Sequence, residues 1–306
     1  MNIRMAGGNF MYVNWDSKTL SEICRKIEHD GNFAVEEKIP TGFPCLDRIL
    51  DGGISKGLYC IGAVPGLGKS TFLTQVAENI SMLGVPVLLF SLEMDILHLA
   101  VKSISRNSYL AHETDKNTEL SSTSQIMSGK IPDAAVRMSK KNTKKLHIIE
   151  DARTFEEIRE YVISCCDYQK VKPVVMIDYL QIMQMSDGSG MTDKQMVDYN
   201  ISRIKQMSEE LKVPVIIISA FNRDSYELDV SLRSFKDSGS IEYSCDTVIG
   251  LREFSPDGNK KKSDRCKFVK LTVLKQKYGR TGTITYRFYP SYSCFVEDGS
   301  RKESTF

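Results

Sequence analysis

From the end of the apolar run Leu58 to Gly62 into the start of the helical repeat Lys69 to Leu83 run nine residues, Ala63-Val64-Pro65-Gly66-Leu67-Gly68-Lys69-Ser70-Thr71. A short apolar run bounded by turn residues reads as a buried strand. A glycine-rich turn that leaves such a strand and opens a helix points successive backbone N–H groups at one spot, and so makes a phosphate cradle. In that context the loop N–H groups wrap a β-phosphate, Lys69 reaches the β and γ oxygens, and the Ser70 hydroxyl takes one site on Mg²⁺. Ala63 stands where the pattern has its first glycine, a small departure, since the tight approach depends more on Gly66 and Gly68.

The same rhythm recurs along the chain. Strands are expected at Pro86 to Phe90, Leu146 to Ile149, Val174 to Ile177 and Val215 to Ser219, with helices at Thr154 to Tyr168 and Asp193 to Lys212. Alternating strands and helices build a parallel sheet with crossover helices on its faces. Thr247 to Leu251, Phe268 to Leu274 and Thr283 to Tyr289 follow without long helices between them, which predicts an antiparallel extension at one edge. Before all this, Leu20, Ile23, Cys24 and Ile27 recur at helical spacing in Asp16 to Asp30, with Asp16 or Ser17 as cap. The division expected is an arm over 1–38 and an α/β domain over 39–306.

The 306 residues carry 41 Lys+Arg against 39 Asp+Glu, a net charge of +2. That balance excludes a chain that coats nucleic acid or membrane by bulk charge, so such contacts must be local. No run reaches the roughly 18 apolar residues of a membrane helix, and the first residues lack a secretory pattern. The eight cysteines are scattered, without metal-ligand spacing, and read as reduced thiols in a cytoplasmic protein.

A phosphate cradle of this kind needs an acidic partner for magnesium. Val174-Val-Met-Ile-Asp178 supplies one at the end of an apolar strand, where a carboxylate is costly unless it has work to do. Ser91-Leu-Glu93-Met94 follows another strand, and Glu93 is the candidate for polarising an attacking water; a glutamate there also suits a helix cap.

In order, Thr41-Gly-Phe-Pro-Cys-Leu-Asp-Arg48, the phosphate loop, Ser91-Leu-Glu-Met94, Ile177-Asp-Tyr-Leu-Gln181, Ser219-Ala-Phe-Asn-Arg223, Asp237-Ser-Gly-Ser-Ile-Glu242 and Lys275-Gln-Lys-Tyr-Gly279 resemble the RecA-like ATPase domain of DnaB-type replicative hexameric helicases. The resemblance runs from about Thr41 to Glu297. It implies a RecA-like P-loop NTPase, with ATP and Mg²⁺ between subunits of a ring, a hexamer in that family, and single-stranded DNA in its central hole. It implies nucleotide binding by Ala63 to Thr71, a metal shell of Ser70 and Asp178, water activation by Glu93, and Lys275 reaching a neighbour's γ-phosphate. It also implies other replication proteins as partners, a bacterial, phage or mobile-element origin, and a linker-like role for the arm helix, here without the family's N-terminal collar.

Two positions depart from that pattern. Ala220 stands where the family has a Gln, and Lys277 where it has an arginine finger; Lys277 carries the charge without the planar fork, and Arg280 lies three residues on. For DNA, the segment Asn222 to Gly239 holds Arg223, Arg233 and Lys236 with Phe235 among them, and the resemblance puts Lys236, Asp237 and Gly239 against DNA phosphates. Met185 to Lys194 would form a second, mostly main-chain grip. Lys260-Lys-Lys262 reads as the tip of a strand connection. The expected function is an ATP-driven helicase or translocase on single-stranded DNA. The rivals are a RadA- or RecA-like recombination ATPase and a weakly hydrolysing assembly module, a helicase loader or regulator.

Overall fold

The computed structural model describes residues 2–4, 10–12, 19–30, 37–185, 190–222, 230–235, 238–256, 266–277 and 279–298. The chain forms two compact units, Met1–Glu37 and Lys38–Phe306. In the first, Asn2–Arg4 pairs antiparallel with Phe10–Tyr12, and a helix runs over Leu20–Asp30. Its start is capped by Thr19 rather than by the expected Asp16 or Ser17, which lie outside the described residues. The Thr19 hydroxyl accepts the Glu22 N–H at 3.2 Å, and Glu22 reaches back to the Thr19 N–H at 2.7 Å.

The second unit is built on nine strands: β1 (Gly57–Ala63), β2 (Val87–Ser91), β3 (Leu146–Ile149), β4 (Val174–Asp178), β5 (Pro214–Ala220), β6 (Thr247–Phe254), β7 (Lys267–Gln276), β8 (Gly282–Tyr289) and β9 (Cys294–Glu297). They lie in the order β9-β8-β7-β6-β1-β5-β4-β2-β3. The pairs from β6 through β1, β5, β4 and β2 to β3 are parallel, and those from β6 outward to β9 are antiparallel. This is the α/β class expected, antiparallel extension included, and Thr247 to Leu251 is its junction: β6 pairs antiparallel with β7 on one side and parallel with β1 on the other. A crossover can be as short as α8 (Ser238–Ser244), and so short a helix leaves little periodicity in sequence. The edge also gains β9, whose four residues carry no alternation long enough to read.

Helices cover both faces. They are α1 (Pro44–Ile49), α2 (Lys69–Met82), α3 (Ile96–Thr114), α4 (Thr123–Met127), α5 (Asp133–Asn142), α6 (Phe155–Gln169), α7 (Asp193–Leu211) and α8. Two apolar clusters result, one on each side of the sheet. Phe72, Leu73, Val76 and Ile80 of α2 pack on one face, and Ile158, Val162, Ile201 and Ile204 of α6 and α7 on the other. Alternate residues of a buried strand feed opposite faces, which is why β1 and β4 are buried throughout, β5 in all but its last residue, and none shows a period of two.

One buried ion pair ties the edge extension to the helical layer. Arg106 of α3 donates to both Glu78 carboxylate oxygens of α2, at 2.7 and 3.2 Å, and to the Ser293 carbonyl at 2.9 Å. Arg106 is 1% exposed. Breaking such a pair strands the remaining charge, so Arg106→Ala is expected to cost about 3–5 kcal/mol. A denaturant-unfolding midpoint unchanged in this variant would contradict that assignment.

Candidate functional site

The parallel topology delivers the carboxyl ends of β1, β2, β4 and β5 to one edge, where connecting loops are free to vary and ligands collect. From β1 the chain turns through Gly66 (φ +75°) and Gly68 (φ +94°) into α2. Both lie in the left-handed region, where a side chain is strained. At Gly68 a Cβ would also meet the Phe288 ring at 2.9 Å. Ala63 and Leu67 are buried, so their side chains face the core and only their backbone is offered to a ligand. The Lys69 ammonium donates to the carbonyls of Ala63 (3.2 Å) and Val64 (3.3 Å), closing over the loop. Burial lowers its pKa, while the charges of Asp178 and Glu93 hold it up.

Asp178 ends β4 beside Ser91 of β2, and its carbonyl accepts the Leu92 N–H at 2.8 Å. That register sets Glu93 beyond the same edge, exposed and within electrostatic reach of Asp178 and Lys69. The Asp178 side chain is buried, its Oδ1 has no hydrogen-bond partner, and the carboxylate also accepts from Ser70. Burial pushes its pKa up, and the charge of Glu93 adds to this; Ser70, Lys69 and Lys102 oppose it. An orphaned carboxylate oxygen beside a serine hydroxyl is a hard-oxygen pair of the kind Mg²⁺ takes. The donor set therefore fits that ion.

Lys69, Ser70 and Glu93 line a cleft of about 900 Å³, together with Tyr179, Phe288, Pro290 and Ser293. It is large enough for a nucleoside triphosphate. Ala220 also lines it, with no polar atom on its side chain. A second recess of about 710 Å³, beside edge strand β3, is lined by His147, Tyr161 and Cys165 and is mostly apolar. It lacks the phosphate cradle.

Sequence reasoning missed Lys102. Its ammonium lies 3.4 Å from the Thr71 hydroxyl, and burial lowers its pKa while Asp178 and Glu93 raise it. Asp95, His98 and Lys102 are spaced three and four apart and all line the cleft. That polar face of one helix was the available signal. Lys102→Met is expected to lower the rate of ATP hydrolysis about a hundredfold to a thousandfold, by analogy with removing one fixed donor. Steady-state phosphate release checks this, and Lys102→Arg is expected to recover most of the loss.

Lys275 and Lys277 lie elsewhere. Gln276, between them, pairs with Thr247 at the start of β6, whereas Ala63 pairs with Leu251, about 13 Å further along that strand. The two lysines therefore stand at the opposite edge of the sheet from their own chain's cleft. Lys275 donates to the carbonyls of Glu242 (2.5 Å) and Cys245 (2.8 Å). Lys277 lies 3.7 Å from the Asp246 carboxylate. Of the DNA candidates, Arg223, Lys236 and Asp237 are outside the described residues, as are Lys260 to Lys262. Arg233 is exposed in a short turn, Leu232–Ser234, and Gly239 is exposed in the first turn of α8. Phe235 is fully buried against Phe221, with ring centroids 5.0 Å apart, and so offers no face to a base. Among the described residues, no helix is long and apolar enough to cross a membrane.

Comparison with known proteins agrees with this geometry. The chain is 27% identical over 285 residues to a probable replicative DNA helicase of Trieres chinensis, covering 90% of this chain and 61% of that protein. It is 25% identical over 266 residues to the replicative DNA helicase DnaB of Geobacillus stearothermophilus, covering 84% and 56%. The chain thus spans little more than half the length of these relatives. Among solved structures, a DnaB-like replicative helicase described with its interactions with primase matches 92% of this chain and 68% of its own, with a TM-score of 0.75 at 22% identity. That likeness shows the RecA-like fold. The family model of the DnaB-like helicase C terminal domain matches residues 38–297, and the chain belongs to that family.

Proposed function

We propose that this chain is an ATP-driven motor on single-stranded DNA, the ATPase part of a replicative helicase or translocase that works as a ring of subunits. The observation that carries the reading is the meeting of Lys69, Ser70, Asp178 and Glu93 at one sheet edge, around a carboxylate oxygen without a partner.

In this reading the backbone of Ala63 to Thr71 and the Lys69 ammonium hold the triphosphate, while Ser70 and Asp178 hold Mg²⁺. The ion, when bound, supplies charge neutralisation at the β and γ oxygens. Lys69 exchanges its two loop carbonyls for phosphate oxygens, and Lys102 adds a second cation from α3. Glu93, exposed beyond β2, orients a water on the γ-phosphate and takes its proton. Lys275 and Lys277 are at the wrong edge to serve their own cleft, which supports their acting on a neighbouring subunit. That makes a ring, a hexamer in the family, the working form. Arg223, Arg233, Lys236, Asp237 and Gly239 are proposed to grip DNA phosphates, without sequence preference, since backbone contacts carry no base information. By analogy with the solved helicase described with primase, a primase is a candidate partner.

The test is steady-state ATP hydrolysis with and without single-stranded DNA. Hydrolysis that rises with DNA supports the motor. Nucleotide binding without turnover favours the second reading, a nucleotide-binding assembly module. Ala220 at the cleft, with no atom to hydrogen-bond a phosphate, is the observation that favours it.

A further inference from the structure

β3 ends the strand order at one flank of the sheet, and among the described residues no strand pairs with its outer side. On its inner side the Val87 N–H donates to the Lys145 carbonyl at 2.8 Å, and Leu88 stands in register with His147. Backbone groups alternate along a strand, so His147 and Ile149 turn theirs to β2 while Leu146 and Ile148 turn theirs away. The Leu146 N–H is taken up by the Thr143 carbonyl at 3.0 Å, which leaves the backbone of Ile148 as the outward edge. Such an edge is a template for another strand. The face beside it is open as well. Ile149 shares a cluster with Ile158 and Val162 of α6. Tyr161, Cys165 and Tyr168, four and three residues apart on that helix, instead line the recess of about 710 Å³ beside β3. Tyr161 is held, its ring edge-on to Phe90 with centroids 6.0 Å apart and its hydroxyl donating to Asp151 at 3.2 Å. Tyr168 stands 89% exposed.

The charges around β3 indicate what suits that edge. Lys144 and Lys145 precede the four strand residues Leu146–Ile149, and Glu150 and Asp151 follow them. All four are exposed, although Glu150 also accepts the Ile96 N–H at 3.0 Å. A strand with basic residues before it and acidic residues after it is complementary to itself when antiparallel and repels itself when parallel. A two-fold axis perpendicular to the sheet relates two such strands. It keeps both α6 helices on the same face, so the two stripes of Tyr161, Cys165 and Tyr168 approach each other over the joined edge and close the recess between them.

We propose that β3 is a docking edge for β3 of a second copy of this chain, antiparallel across a two-fold axis, with the α6 stripes of both copies packed over the joined sheets. The contact is separate from those of the ring. Ring contacts use the cleft at the carboxyl ends of the strands and Lys275 and Lys277 at the opposite ends, whereas β3 lies at the flank between them. It therefore pairs chains whether or not they also close into rings.

Sedimentation equilibrium of the full chain, without nucleotide, tests it through two charge variants. One carries Lys144→Glu and Lys145→Glu, so that acids stand at both ends of β3. The other carries Glu150→Gln, which keeps an acceptor for the Ile96 N–H, and Asp151→Lys, so that the basic charge prevails at both ends. Each variant alone is expected to self-associate about tenfold or more weakly than the parent, because every substitution is met twice across the two-fold axis. An equimolar mixture of the two is expected to associate at least as tightly as the parent. Ile148→Pro removes the outward N–H without touching the bonds to β2, a change an edge strand tolerates, and is expected to weaken pairing by a similar factor. A parent whose mass does not rise with concentration overturns the proposal. So do charge variants that assemble as the parent does, or a mixture that fails to associate. None of these residues lines the nucleotide cleft, so ATP hydrolysis by the charge variants is expected to stay within about twofold of the parent.

Discussion

Lys69→Ala is expected to reduce ATP hydrolysis to background, a loss of about 10³-fold or more. The free protein already holds the Lys69 ammonium over the loop, on the carbonyls of Ala63 and Val64. Its charge is sustained by Asp178 and Glu93 against the cost of burial. A triphosphate offers it stronger, charged acceptors at the place where negative charge develops during transfer. Alanine leaves the two carbonyls to water at a cleft edge, so the stability cost is expected to stay below about 1 kcal/mol. The variant should therefore melt like its parent while releasing no phosphate. Retention of a tenth of the parent rate would sink the assignment of Lys69.

The second large effect runs in two directions at once. Asp178→Asn is expected to abolish hydrolysis, again by about 10³-fold, and to raise the melting temperature of the ligand-free protein by about 2–4 °C at neutral pH. The carboxylate is buried, its Oδ1 is unpartnered, and its pKa lies above the ordinary value, first because of burial and then because of Glu93. A group whose folded pKa is raised contributes stability that is fully present below its unfolded pKa and is lost as pH rises through the folded value. At neutral pH Asp178 thus contributes less to folding than it does in acid, and the isosteric amide, which does not ionise, escapes that loss. Below about pH 4 both forms are neutral, and the two proteins should melt together. Melting curves at pH 4 and 7 check the sign. ATP with Mg²⁺ should stabilise the parent more than the variant. A variant no more stable than its parent at pH 7 would contradict the cost assigned to this burial.

How much of this was legible from the residues differs between the two ends of the sheet. The phosphate loop, Asp178 and Glu93 were readable because each sits within a few residues of an apolar strand. Strand ends carry their side chains to a predictable edge once the strands are known to run parallel. Lys102 was not readable as a site residue. It lies nine residues into the connection after Glu93, and it faces the cleft only because α3 folds back over α2. Phe235 shows the converse. Among basic residues it looked available, but it packs on Phe221 beside Gly62, where a Cβ would meet its ring at 2.3 Å.

By itself, then, the order of apolar runs, glycines and acidic strand ends determined the α/β class, the glycine turn from β1 into α2 and the family. These depend on local spacing and on the handedness of crossovers, which a chain cannot evade once its strands are buried. Only the tertiary structure decided that β6 joins the parallel body, that Asp178 is left with an unpartnered oxygen, and that Lys275 and Lys277 stand away from their own cleft. It alone brought Asp246 into register with Lys277, 31 residues later in the chain. Those facts depend on which strand pairs with which and on how deeply a charge is enclosed, quantities set by long-range packing and solvation that no local pattern encodes.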